Sequence, residues 1–263
     1  MEKIQTIISK EWAEVFKNRL VLFSVAFLPL VFIAVPVVTV VAAGSLEGAA
    51  MEEFGGEGIP GAETLCQGMN AAECGEVFML NIYSLMFMIL PVAIPVTIAA
   101  YSIVGEKTTR SLEPLLATPI TTSELLAGKA LAAIIPAVVA TWVSYLIYVA
   151  LMRYLASAAA FRHLLDPLWL IAIFIVGPLL TLLAVSVATM ISARVSDPRV
   201  AEQLSMVVIV PLILAIVGQS TGLFLFDRQL ILIAAVVVAL LDAVLLVLTV
   251  QAFQRETILT RWK

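Results

Sequence analysis

Few residues in this chain are equipped for chemistry, and most of those lack the neighbours that chemistry requires. The single histidine, His163, has no nucleophile partner beside it and reads as a surface residue of a short loop. Gly128-Lys129 has the last glycine and lysine of a phosphate-binding loop. However, Ser123 stands where that loop needs its first glycine and Ala130 where it needs a hydroxyl, so no ATP-hydrolysing site is expected. Cys66 and Cys74 are too few for a zinc site or a disulfide scaffold. They share one loop, where an oxidising compartment would let them close a short ring that pins it. Asp242 is the most unusual acid, being the only charge in the apolar stretch 230–253. A carboxylate at bilayer depth costs about 2.5–3.5 kcal/mol even on the lenient insertion scale. It must therefore face other helices, carry a proton or pair with a polar group, and both a structural contact and an ion or proton site fit that requirement.

The elements that position these residues follow from the composition. Of 263 residues, 62% are hydrophobic and 13% charged, against roughly 25% charged in a soluble domain. A mean hydropathy of +1.09 calls for a bilayer. The net charge of −4 lacks the basic face of a nucleic-acid binder. A span needs about 20 apolar residues. Six stretches qualify: 20–43, 77–104, 130–152, 168–191, 204–218 and 230–253, the fifth being short enough to continue through the apolar patch 223–226. Strand-period alternation is missing, so the predicted fold is an all-α membrane protein, with residues 1–263 as one transmembrane domain. The first stretch is too long for a cleaved signal and is expected to remain as a span.

Topology follows from lysine and arginine. With the N-terminus in the cytoplasm, twelve of the fifteen basic residues fall inside and only Arg153, Arg162 and Arg228 outside. Both termini are then cytoplasmic, which an even number of spans satisfies. Residues 1–19 place Ile4, Ile7, Ile8, Trp12, Val15 and Phe16 near helical spacing, with charges between them. That pattern predicts a helix in the cytoplasmic interface with Trp12 at headgroup level, the alternative being an extension of the first span. Residues 44–76 form an acidic external loop with seven glutamates and no basic residue, read as a solvated loop or as a cation-gathering vestibule. Seven prolines lie within the spans (Pro29, Pro36, Pro91, Pro95, Pro136, Pro178, Pro211) and read as ordinary kinks of membrane helices. Hydroxyls at Thr97, Ser102, Thr141, Ser144, Thr181 and Ser186 suit either a cavity wall or backbone bonds at those kinks.

The most informative segment is the cytoplasmic loop 105–129. Glu106 and Arg110, then Arg110 and Glu113, are spaced to meet on one helical face, and Leu112, Leu115 and Leu116 share the apolar face. Pro119 disfavours helix at Thr118 and ends the element. Thr121 with Glu124 forms a capping box that starts the third span. A short, rigidly punctuated helix of this kind suits a docking surface for a soluble partner; a simple turn between spans is the alternative.

These residues resemble the signature of the type-2, export-type family of ATP-binding-cassette transporter permeases. The resemblance lies in Glu106-Lys107, Ser111-Leu112-Glu113, Leu115-Leu116, Thr118-Pro119 and Gly128-Lys129, with Ser111 where threonine is more usual. Lys10-Glu11 followed by Lys17-Asn18-Arg19 also looks like that family's opening. The resemblance implies that the loop is a coupling helix seated in a groove of a separate cytoplasmic ATPase subunit. It implies a working unit of two permease chains and two ATPases in the cytoplasmic membrane. ATP and magnesium would then bind on the partner, with no cofactor in this chain. Two further readings stand beside the exporter: a transporter driven by an ion gradient through Asp242, and a membrane scaffold without transport. The substrate is not legible in the sequence.

Overall fold

A computed structural model describes residues 2–17, 19–45, 68–108, 121–223 and 227–252. Among these residues the chain is helical, with no strand, because helices satisfy their own backbone groups in lipid. The N-terminal helix spans Glu2–Val15. Six stretches after it are long and apolar enough to cross a bilayer: Val21–Ala42, Ala71–Gly105, Ser123–Leu155, Ala158–Ser192, Pro198–Ser220 and Arg228–Thr249, here spans 1 to 6. The chain is an all-α, multi-pass membrane protein.

Several boundaries lie beyond the last charge, where capping residues set them. Span 2 starts at Ala71 because Asn70 and Glu73 form a capping box, with Asn70 Oδ1 accepting from the Glu73 N–H at 2.8 Å. Two glutamates of the expected acidic loop therefore belong to a helix. Glu73 caps it, and Glu76 is buried, both its oxygens accepting the Ser157 N–H at 3.1 Å. Span 3 begins at Thr122, behind the Thr121–Glu124 capping box, so Lys129 lies inside the helix. Span 5 starts at Pro198, six residues before the expected 204, with Asp197 as N-cap accepting from the Arg199 N–H. It ends at Ser220, and Gly222 at φ 74° turns the chain before the apolar patch at 223 can prolong it.

The prolines divide into two groups. Pro29, Pro36, Pro95 and Pro136 sit within continuous α-helix. Pro91, Pro178 and Pro211 each follow, two residues on, an irregular turn: the 3-10 turns Phe87–Ile89 and Met206–Ile209 and the π turn Ala172–Val176. A proline ring displaces the carbonyl four residues back and offers no N–H, so the ladder shifts register ahead of it. In span 4 the Gly177 N–H reaches the Ala172 carbonyl, five residues back.

Span 2 is the centre of the bundle. Of its apolar window 72% is buried, against 18% for span 1 and 17% for spans 5 and 6. Its second half, Leu90–Thr108, packs against Gly177–Ser192 of span 4, against span 3, and against the start of span 5. Phe87 of span 2 stacks on Tyr148 and meets Tyr145 edge-on, with centroids 4.9 and 5.7 Å apart, and all three rings are buried. Span 6 packs chiefly on span 4.

Candidate functional site: the mount of the 105–129 loop

The N-terminal helix does not rest on lipid alone; it is docked on the start of span 3. Ile7, Glu11 and Val15, four residues apart, form its buried stripe. Its contacts ascend together along both helices. Lys3 faces Glu124 at 4.0 Å, Ile7 packs on Gly128, Glu11 meets Lys129, and the Trp12 indole N–H donates to the Ala132 carbonyl at 2.9 Å. The two helices thus run in the same direction here, and Trp12, expected at headgroup level, is bonded to protein. Phe16 lies past the helix and is exposed. Gly128 is required by this approach: a Cβ there would stand 2.7 Å from Ile7 Cγ2.

Beside that contact lies a closed triangle of polar groups. Lys129 Nζ donates to Glu11 Oε1 at 2.7 Å and to Ser102 Oγ at 3.1 Å, and Ser102 Oγ donates to Glu11 Oε2 at 2.5 Å. Glu11 is 2% exposed and Lys129 8%. A buried pair of this kind gives little net stability, because desolvation offsets the Coulomb gain. Removing one partner, however, strands the other and costs about 3–5 kcal/mol. Ser102 belongs to the end of span 2 that enters the 105–129 loop, and Lys129 to the start of span 3 that leaves it. The triangle therefore fastens both ends of the loop to each other and to the N-terminal helix. Ile103 and Leu126, buried and packed together, reinforce the junction.

The model of the ABC-2 family transporter proteins matches residues 5–227 of this chain. The chain belongs to that family. Comparison with curated proteins finds no match. The family match begins in the N-terminal helix, includes Glu11, Ser102 and Lys129 and stops before span 6. Membership implies in general a partner ATPase subunit for this permease.

The permease braces the other flank of span 2 through span 5. Thr97 Oγ1 donates to Glu202 Oε1 at 2.7 Å, and Ala100, Val104 and Ala201 pack together beside it. Glu202 lies among the residues expected to form a loop; the Asp197-Pro198 start signal reveals that they are helical. Of the remaining hydroxyls, Thr141, Ser144 and Thr181 bond the carbonyl four residues back and line no polar site.

Of the residues singled out in the loop, Glu106 and Lys107 fall in the last turn of the helix Leu90–Thr108, which ends four residues past the expected end of span 2. Their side chains, and Arg110, Leu112, Glu113, Leu115, Leu116, Thr118 and Pro119, lie outside the described residues. So does Cys66; Cys74, buried in the first turn of span 2, is disulfide-bonded. Asp242 stands on the buried face of span 6 with Val238, Leu245 and Thr249. It is 3% exposed, and among the described residues neither carboxylate oxygen has a hydrogen-bond partner. His163 is half-buried and accepts the Trp169 indole N–H at 3.4 Å, so it is a packing partner and not a free surface group. Glu11, Ser102 and Lys129 were all missed as site members, and Glu11 carried the clearest signal. Its signal was a charge at an apolar-stripe position, four residues from both Ile7 and Val15.

Proposed function

We propose that this chain is the permease subunit of an ATP-driven exporter in the cytoplasmic membrane. In this reading it works as a homodimer with a separate cytoplasmic ATPase, and both termini and the 105–129 loop face the cytoplasm. The observation that carries the reading is the mount. A loop that only joined two spans would not need both its ends fastened to a third helix through buried charges, whereas a loop that transmits force does. The ATPase would seat on Glu106, Lys107, Arg110 and Glu113 and on the leucines at 112, 115 and 116. Closure of the ATPase dimer on ATP and magnesium, both held by the partner, would push the loop. The Glu11–Ser102–Lys129 triangle would pass that push to spans 2 and 3 together, and the ligand-biased change would open the bundle to the other side.

The test is co-purification of the permease with its candidate ATPase, comparing the native sequence with a Glu113→Arg/Leu116→Ser variant. The reading expects the native permease to bring down active ATPase and the variant to lose it. An ATPase that binds both equally, or neither, removes the loop from the mechanism.

A further inference from the structure

The three proline-associated turns converge on one place. Met88 from the first, Ala172 and Val176 from the second and Val208 from the third all face a cavity of about 330 Å³ between spans 2, 4, 5 and 6. Every described residue lining it is apolar. The one polar side-chain atom among them, Trp169 Nε1, is turned away to His163. Water needs two to four polar partners to occupy such a space, and the wall offers none. The cavity reaches the outside of the bundle along span 6, since Val237 and Leu241 line it while remaining 48% exposed. In a membrane protein that outer surface meets lipid.

We infer that this cavity is a binding site for an aliphatic chain. An apolar cavity of about 150 Å³ takes up benzene, so twice that space has room for roughly a dozen chain carbons. The volume also falls within the range of small-molecule sites. The register shifts ahead of Pro91, Pro178 and Pro211 draw helix backbone aside at one level of spans 2, 4 and 5, which leaves a gap that straight helices would have closed. A flexible chain can follow an irregular apolar wall and supplies the contacts that wall atoms facing a void would lack. The site rests on the membrane fold alone and stands whether or not the exporter reading does.

The chain can come from a bilayer lipid or from a single-chain amphiphile such as a cargo tail. The full-length protein is reconstituted in phosphatidylethanolamine–phosphatidylglycerol vesicles. These are doped either with a phosphatidylglycerol carrying a diazirine in its acyl chain or with a diazirine fatty acid. After illumination, labelled residues are mapped by mass spectrometry. Labelling is expected at the deep-wall residues Met88, Trp169 and Leu180, which plain lipid contact cannot reach, as well as at the outward-facing Val236 and Leu240. The Ala215→Phe variant, which fills the cavity, is expected to lose the deep-wall labels and keep the outward ones; the smaller Ala234→Leu serves if the first does not fold. Labelling by the phospholipid assigns a resident lipid, and labelling by the fatty acid alone assigns a single-chain ligand. Outward labels without deep-wall labels in the native protein, with both probes, overturn the inference. So do deep-wall labels that survive the filling substitutions.

Discussion

Glu11 at the mount and Asp242 in span 6 are both buried acids, and they are solved in opposite ways. At the mount, Glu11 has both carboxylate oxygens bonded, one to an ammonium and one to a hydroxyl. In span 6, Asp242 is equally buried and has neither oxygen bonded. A completed buried network rigidifies what it joins, whereas an orphaned group destabilises the state in which it is found. The contrast teaches that the mount is satisfied by this chain's own groups, whereas Asp242 has no protein partner among the described residues.

The largest effect belongs to the finished site. Glu11→Ala strands the Lys129 ammonium, and thermal or denaturant unfolding of the purified permease is expected to show a loss of about 3–5 kcal/mol. The double change Glu11→Leu/Lys129→Met removes both charges and is expected to recover most of that loss, as apolar replacements of buried pairs do. If the single change costs as little as an exposed pair, the triangle is not closed in the membrane and the comparison fails. Next comes Gly128→Ala, which drives a methyl into Ile7 and is expected to cost about 1–3 kcal/mol by overpacking. Adding Ile7→Ala should rescue it only in part, because Ile7 Cβ itself lies 2.9 Å from the new atom.

How much of this was legible follows the same division. Six spans, the capping box at Thr121 and the family resemblance in residues 105–129 were readable, because long apolar runs and capping pairs act locally. The mount was half readable. Gly128-Lys129 and Lys10-Glu11 stood out as motifs, but nothing local says that residues 118 apart in sequence share one salt bridge. Glu11, on an apolar stripe, was a charge asking for a partner that only the tertiary fold names. The prolines were readable as kinks but not as a converging set. Which of them break register depends on the neighbouring helices: Pro95 and Pro136 sit in unbroken helix, while Pro91, Pro178 and Pro211 do not. Charges misled at span ends, because Glu76, buried against a backbone N–H, and Glu202, half-buried against a hydroxyl, sit in helices and do not mark loops.

The unfinished site gives an effect of opposite sign. Asp242→Leu replaces an unbonded buried carboxylate with an apolar group and is expected to raise stability by about 1–3 kcal/mol, the penalty of an unsatisfied buried polar group. Asp242→Asn keeps the shape but brings its own unpaired amide, so it should gain less. If transport, once a substrate is found, falls in both variants while stability holds or rises, Asp242 belongs to the working cycle. That outcome would favour the ion-coupled reading of this residue. If Asp242→Leu unfolds the protein, the carboxylate already has a partner in the membrane and the two sites are alike after all.

The smallest effect separates buried from exposed charge within the mount itself. Lys3 and Glu124 lie at its rim, 4.0 Å apart with side chains 52% and 33% exposed. Lys3→Ala removes that exposed pair and is expected to cost no more than about 1 kcal/mol, falling further as salt is added. Glu124 has a second duty: its carboxylate accepts from the Thr121 N–H at 2.9 Å and closes the capping box of span 3. Thr121→Ala, which removes the other half of that box, is expected to cost about 1 kcal/mol independently of salt, because its hydroxyl makes a neutral hydrogen bond to the Glu124 N–H. Unfolding measured at low and high salt for both variants therefore distinguishes the two contributions. A salt-dependent Thr121→Ala would mean that the cap acts through Lys3, whereas a salt-independent Lys3→Ala would mean that the rim is as dry as the triangle above it.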